Sequence, residues 1–165
     1  MVIKNLQCAA IPGDAKLQNF GVLKSVNVEF VWDDQGEKYT IKFLSECIFV
    51  LRKYNCTIRI LPGFVCDGGT LPRVSWTTTS DPYSTRCLLG FILHDTLYCT
   101  RYFDRNICDW VLLEFHQELG VDWLTRNKIY IGVRAGGYLC AWRKHTEQSI
   151  ETSRQFVLKE GIENV

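Results

Sequence analysis

Apolar and polar residues alternate through the first third of the chain. Val26, Val28, Phe30 and Trp32 are spaced by Asn27, Glu29 and Val31, the period of a strand with one buried face. Asp33-Asp34-Gln35-Gly36 then reads as a hairpin turn, and Tyr39 to Phe43 as the partner strand. Ile48 to Leu51 and Cys56 to Leu61 are further short strands, parted by the turn-forming Lys53-Tyr54-Asn55. Residues 62 to 73, PGFVCDGGTLPR, form a loop dense in structure breakers, and Thr77 to Pro82 is a second polar connector.

From about Ser84 the period becomes helical. Leu88, Leu89, Ile92 and Leu93 lie on one broad apolar face of a helix running to about Cys99. A second helix is predicted from about Arg105 to Leu119, with Gly120 as its C-terminal stop. Asp122 is placed to cap a third, Trp123 to about Trp142. Arg143 to Val165 is a charged tail or one more helix. The expectation is one α+β domain over residues 1–165: a small N-terminal antiparallel sheet or meander, then a three-helix half.

Composition narrows the class. A length of 165 residues suits a single core, and 47% hydrophobic with 22% charged residues suits a globular chain. A net charge of +1 gives no broad field for nucleic acid, so no nucleic-acid partner is expected. No run reaches the length of a transmembrane segment. The start, MVIKNLQCAAIPGDAK, is too polar for a secretory signal, so a cytoplasmic or virion location is expected. The eight cysteines contain no CxxC pair, which argues against a structural zinc site. Without an export signal, free buried thiols are expected over disulfides. Oligomeric state is not encoded in any feature of the sequence.

One stretch carries chemistry. FILHDTLYCT places His94 and Asp95 side by side inside an apolar helix. Two helices joined by about five residues run antiparallel. His94 lies about one and a half turns before the first ends, and Asp109 about one turn after the second begins, so the two stand at similar heights. A carboxylate on one ring nitrogen fixes the tautomer and leaves the other nitrogen as a base. Asp95 points about 100° away from His94. Asp67 sits in the preceding loop, where Gly68 and Gly69 let backbone carbonyls turn to a common point. Two carboxylates with carbonyls and water make a hard-cation site suited to calcium.

Plainer readings stand beside these. His94 and Asp109 are also consistent with a purely structural pair, and Tyr98 with a core residue. Asp67 has Arg73 as a nearby ion-pair partner, and Arg105 has Asp95 or Asp109. Thr70-Leu71-Pro72 also reads as the opening of a short helix. His116, seven residues beyond Asp109, reads as a surface residue, and His145 as part of the charged tail. Other hydrolytic schemes lack their parts. All three histidines are at 94 or later, which leaves an HD-type phosphohydrolase without its first ligand. P-C-x-x-C, HExxH, GxSxG and a P-loop are absent. A thiol nucleophile at Cys66 or Cys99 is a minor alternative.

HDTLY, with Asp109 fourteen residues after Asp95 and then Phe115, resembles the HDxxY…D segment of calcium-dependent phospholipases A2, closest to the small bacterial and parvoviral forms. The resemblance implies His94 as base, Asp109 as its orienter, Tyr98 as a supporting hydroxyl, and Asp95 and Asp67 as calcium ligands. It covers residues 63 to 115, and the loop FVCDGGTLPR lacks the Y-G-x-G pattern of those enzymes. GFVCDGGTLPRVSW, LHDTLY and RNICDWVLLEF together resemble an uncharacterised family of small tailed-phage and prophage proteins with a GFxTDxASxPR loop and an HDxLY helix. That match spans about residues 25 to 142, with Cys66 for the usual Thr and Gly69-Thr70 for the usual Ala-Ser.

Two functions follow as expectations. One is a phage-encoded hydrolase acting on an ester such as a phospholipid, with a membrane-directed apolar rim from Phe64, Trp76 and Tyr83. The other is a non-catalytic accessory protein, a virion component or a binder of a small ligand or host factor, that uses the same polar cluster structurally.

Overall fold

The computed structural model describes residues 4–8, 16–24, 26–32, 39–66, 85–136 and 142–162. Eight strands and four α-helices occur among them. The strands are β1 (Lys4–Cys8), β2 (Phe20–Leu23), β3 (Val26–Trp32), β4 (Tyr39–Phe43), β5 (Cys47–Leu51), β6 (Cys56–Ile60), β7 (Val65–Cys66) and β8 (Val157–Gly161). The helices are α1 (Thr85–Thr100), α2 (Arg105–Glu118), α3 (Trp123–Gly136) and α4 (Glu147–Phe156). The α+β expectation holds, with two corrections.

First, the strands form two sheets rather than one, each four-stranded and antiparallel: β1-β3-β4-β7 and β2-β5-β6-β8. The predicted β3–β4 pairing is present, with Phe30 opposite Ile41; its turn at 33–36 lies outside the described residues. Val26, Val28 and Phe30 are buried and Asn27 and Glu29 half-buried, as alternation requires. β5 differs, because all five of its residues are buried. A strand covered on both faces loses the alternating signature, and CIFVL reads as a continuous apolar run. Asn55, at φ 49°, takes the left-handed conformation that turns the chain from β5 into β6.

Second, the C-terminal tail is structured. Thr146 caps α4, its side chain accepting from Ser149 N at 3.2 Å. The chain then enters β8, which pairs along β6 from Val157–Ile60 to Gly161–Cys56. Leu158, Lys159 and Gly161 are exposed, the polar pattern of an edge strand, which explains why the segment reads as a tail.

α2 ends where the sequence places its stop. Gly120, at φ 75°, lets Val121 N reach the His116 carbonyl (2.9 Å) and Gly120 N the Gln117 carbonyl (3.1 Å), a Schellman closure of α2. Asp122 Oδ1 accepts from Thr125 N (3.0 Å) and caps α3. Described α3 stops at Gly136, short of the expected Trp142, which sits in a separate turn, Trp142–Lys144.

One apolar cluster joins Val28 and Phe43 of the first sheet, Phe49 and Ile58 of the second, Ile92, Leu93 and Leu97 of α1, and Phe115 of α2. Phe115 is the meeting point, 5.1 Å from the Phe20 ring and 6.1 Å edge-on to Phe49. α1 packs against α2, α4 and β7. Its residues 87–100 are buried without exception, so it carries no exposed stripe opposite its apolar face. Thr96 and Thr100 satisfy their hydroxyls on the Ile92 and Thr96 carbonyls, at 2.8 and 2.9 Å. Six cysteines, Cys47, Cys56, Cys66, Cys87, Cys99 and Cys108, are free and buried, as expected. Burial pushes the Cys47 thiol up to about 12.

Candidate functional site

The α1–α2 seam brings the expected pair together. His94 Nε2 lies 3.0 Å from Asp109 Oδ1, with Asp109 fully buried and His94 5% exposed. Tyr98, one turn along α1, donates its hydroxyl to the same oxygen at 2.5 Å. Its ring lies against His94 with centroids 4.2 Å apart. The other carboxylate oxygen, Oδ2, accepts from Arg134 Nη1 of α3 at 3.1 Å. That same nitrogen donates to Asn106 Oδ1 at 2.5 Å. One buried carboxylate therefore joins three helices.

The electrostatics follow from this arrangement. Burial alone raises a carboxyl, but the bonds from His94, Tyr98 and Arg134 outweigh it and hold the Asp109 carboxyl below the usual carboxylate range. Asp109 is thus an anion near neutrality and an acceptor only, so the Nε2 facing it carries the hydrogen. Burial, then the bond to Asp109 and its negative charge, push the Tyr98 phenol well above its ordinary value, so Tyr98 serves as a neutral donor. Burial and the Asp109 charge likewise raise the neighbouring Cys108 thiol, which stays protonated. His94 Nδ1 has no hydrogen-bond partner among the described residues.

The far wall comes from the segment after α3. Trp142 stands edge-on to Tyr98, ring centroids 5.0 Å apart. Arg101 stacks on the Trp142 ring at 5.0 Å and donates Nη2–H to the carbonyls of Trp142 (2.8 Å) and His145 (3.1 Å). His145 Nε2 comes to 4.0 Å from Cys99 Sγ, so the tail histidine is part of this wall.

The other predicted residues divide. Asp95 is buried beside His94 on α1. Asp67, Gly68, Gly69, Thr70 and Arg73 lie outside the described residues, although β7, which ends one residue before Asp67, packs against α1. Among the described residues, no group of three His, Cys, Asp or Glu side chains is placed to hold a metal ion. Arg105 donates Nη1–H to the Arg134 carbonyl at 3.3 Å, and the cation on Asp109 is Arg134. Of the expected apolar rim, Phe64 is buried against Phe43, ring centroids 5.8 Å apart, and Trp76 and Tyr83 lie outside the described residues. The most exposed apolar side chains are instead Trp110 on α2 and Trp123, Leu124 and Ile131 on α3.

His116 corrects the sequence reading outright. It is fully buried, donates Nε2–H to the Cys87 carbonyl at 3.1 Å, and stands edge-on to Phe91 with centroids 5.4 Å apart. The signal was Gly90: a Cβ there would sit 2.1 Å from His116 Nε2, so the glycine makes room for the ring. Arg134 was missed too. The mirror rule that pairs His94 with Asp109 applies equally to the α2–α3 hairpin, where it sets Asp109 opposite about residue 132, within reach of an arginine side chain at 134. Asn106 against Arg134 and Trp110 against Tyr130 share that register.

An α+β chain with a buried His–Asp–Tyr–Arg cluster on a helix seam is the class these observations define. Residues 42–133 match the model of a protein family of unknown function, DUF1353, and the chain belongs to that family. No curated protein and no solved structure matches the chain. No helix among the described residues is long and apolar enough to cross a membrane.

Proposed function

We propose that this chain is a phage-encoded hydrolase in which the His94–Asp109 pair acts as general base on an ester such as a phospholipid. The observation that carries the reading is the 3.0 Å contact from His94 Nε2 to a fully buried, ionised Asp109, with Nδ1 left unbonded among the described residues. Nδ1 takes a proton from water, and the resulting hydroxide attacks the ester carbonyl carbon. The tetrahedral intermediate collapses with loss of the alkoxide, which takes the proton from the imidazolium. Asp109 holds the ring and balances its charge in the imidazolium state. Tyr98 and Arg134 keep the carboxylate ionised and fixed.

Calcium enters this reading only through Asp67 and Asp95. The described residues supply one of those two carboxylates, and Asp109 Oδ2 is engaged by Arg134. Bound there, the ion would polarise the ester carbonyl.

A second reading has its own support. Asp109 is fully buried and bonded by three donors from two other helices, which suits a structural tie in a non-catalytic phage accessory protein. Hydrolysis of a fluorogenic phospholipid and of a simple ester, with and without calcium, separates the two. The hydrolase reading expects His94→Gln and Asp109→Asn to lose at least about a hundredfold in turnover, the usual scale of a general base. Wild-type turnover in both variants ends it. Absence of turnover on every substrate, together with a lowered melting temperature for His94→Gln, favours the accessory protein.

A further inference from the structure

α3 departs from the rule for a helix on the surface of a fold. Thr125 and Ile129, one turn apart, are its buried residues. The side opposite them should be polar. It carries instead Trp123, Leu124 and Ile131, which fall within about 100° of arc facing away from Thr125 and Ile129. Trp123 is 67% exposed and Ile131 66%. The apolar stripe continues onto α2, where Trp110, half exposed, lies beside Tyr130 with ring centroids 5.5 Å apart. Asn127, a polar residue within the stripe, donates its side-chain amide to the Trp123 carbonyl at 2.7 Å, so that donor is satisfied inside the helix.

Charge around this stripe is one-sided. α3 contains Arg126, Lys128 and Arg134 and no acid. By helical angle Arg126 and Lys128 flank the stripe, one on each side. Arg134 is matched by Asp109, but Arg126 spends a donor on a neutral group, the Val121 carbonyl at 3.1 Å. The acids nearby are engaged elsewhere. Glu114 pairs with Lys53, and Glu118 accepts from the backbone N–H groups of Gln18, Asn19 and Phe20. Asp122, ahead of α3, is held in its cap on Thr125.

We propose that this face of α3, with Trp110, is an interfacial surface that lies on an anionic lipid bilayer, the helix in the plane of the headgroups. Each indole is an apolar ring with one polar N–H, the form that sits at headgroup depth. Leu124 and Ile131 reach the acyl boundary. Arg126 and Lys128 lay their stems along the apolar surface and bring their charge to the phosphates. The charge pattern selects this occupant. A second copy seated face to face would bring the flanking cations of both chains together. A single-stranded nucleic acid stacks its bases on flat rings, which Leu124 and Ile131 do not offer, and a net charge of +1 supplies no groove-wide field for it.

This surface stands apart from the hydrolase reading, because adsorption is measured without turnover. The test is flotation of the full chain with vesicles of phosphatidylcholine alone and of phosphatidylcholine mixed with phosphatidylglycerol. Wild type is expected to float with the mixed vesicles, and less so at high salt. The double variant Trp123→Ser, Ile131→Ser should partition at least about tenfold more weakly. Lys128→Gln should lose about fivefold on the mixed vesicles and little on the neutral ones. An unchanged melting temperature checks that each variant is folded. No flotation of wild type, or equal flotation of the folded double variant, overturns the proposal. So does a dimer in sedimentation velocity, or binding of a fluorescent oligothymidine, that the double variant abolishes while wild type fails to float. Equal flotation of wild type and His94→Gln, with no turnover of any ester, keeps the surface and removes the hydrolase. Turnover of a soluble ester that His94→Gln abolishes, with no flotation, does the reverse.

Discussion

The α1–α2 seam holds two buried imidazoles, and they are held in opposite ways. His94 meets Asp109 at one end. Seven residues back along α1 and seven forward along α2, Cys87 meets His116 at the other. The two contacts share one antiparallel register, two helical turns apart. At the first, the acceptor is a carboxylate, which tolerates the ring neutral or charged. At the second, the acceptor is a backbone carbonyl, and His116 Nδ1 is buried with no hydrogen-bond partner among the described residues. Burial then lowers the His116 imidazole to about 4, and its fold accepts only the neutral ring. The same side chain is buried at both ends of the seam, against a carboxylate at one and a backbone carbonyl at the other. The partner atom makes the difference.

The largest expected effect falls on the first contact. Asp109→Ala removes the anion from a cluster containing Arg134, Tyr98 and His94, and should cost about 3–5 kcal/mol in denaturant unfolding. A loss below about 1 kcal/mol would mean that the three donors find water or new partners, and that the two ends of the seam are alike.

Acid should break the second contact before the first. In the unfolded chain His116 protonates near the ordinary imidazole value of 6.5, but in the folded chain only at about 4. Between those values the unfolded state binds the extra proton, so stability falls as pH falls through that window and levels off below it. The difference corresponds to about 3 kcal/mol. His116→Gln should flatten that part of the stability profile, read by melting temperature against pH. Asp109 acts in a lower window. Its folded carboxyl lies below the ordinary carboxylate range, so its contribution persists above that range and is lost only as pH falls through the depressed value. A profile equally steep in His116→Gln would assign the acid sensitivity elsewhere.

Gly90→Ala comes next. Its Cβ would meet His116 Nε2 at 2.1 Å, and the ring has little room to move. The expected loss is about 1–3 kcal/mol. Combined with His116→Ala, the two losses should be strongly non-additive, because the clash needs both partners. The smallest effect belongs to Tyr98→Phe. It removes one of three donors to Asp109 while keeping the ring against His94 and Trp142, and should cost about 1 kcal/mol.

The legible parts of this molecule are those whose partners are near in sequence. The β3–β4 pairing, the three helices from 85 to 136, the stop at Gly120 and the cap at Asp122 were readable because turn chemistry and apolar period are local signals. The His94–Asp109 contact was readable because a short connection between two helices fixes their relative height. The readings that failed involve either a missing local signal or a distant partner. The C-terminal residues look like a tail because an edge strand is polar, and their partner β6 lies about a hundred residues earlier. His116 was misread because a lone histidine near a helix end gives no sign of depth, although Gly90 across the seam did.

By itself the sequence determined the helix pair and the heights of its polar residues. Those follow from rise per residue, loop length and cap chemistry, which act over one or two turns. Only the tertiary structure decided that α1 is enclosed on all sides, that Arg134 bonds Asp109 while Arg105 bonds the Arg134 carbonyl, and that His116 is buried against a backbone carbonyl. Those depend on which distant atoms arrive within about 3 Å, the range over which a hydrogen bond is made or missed.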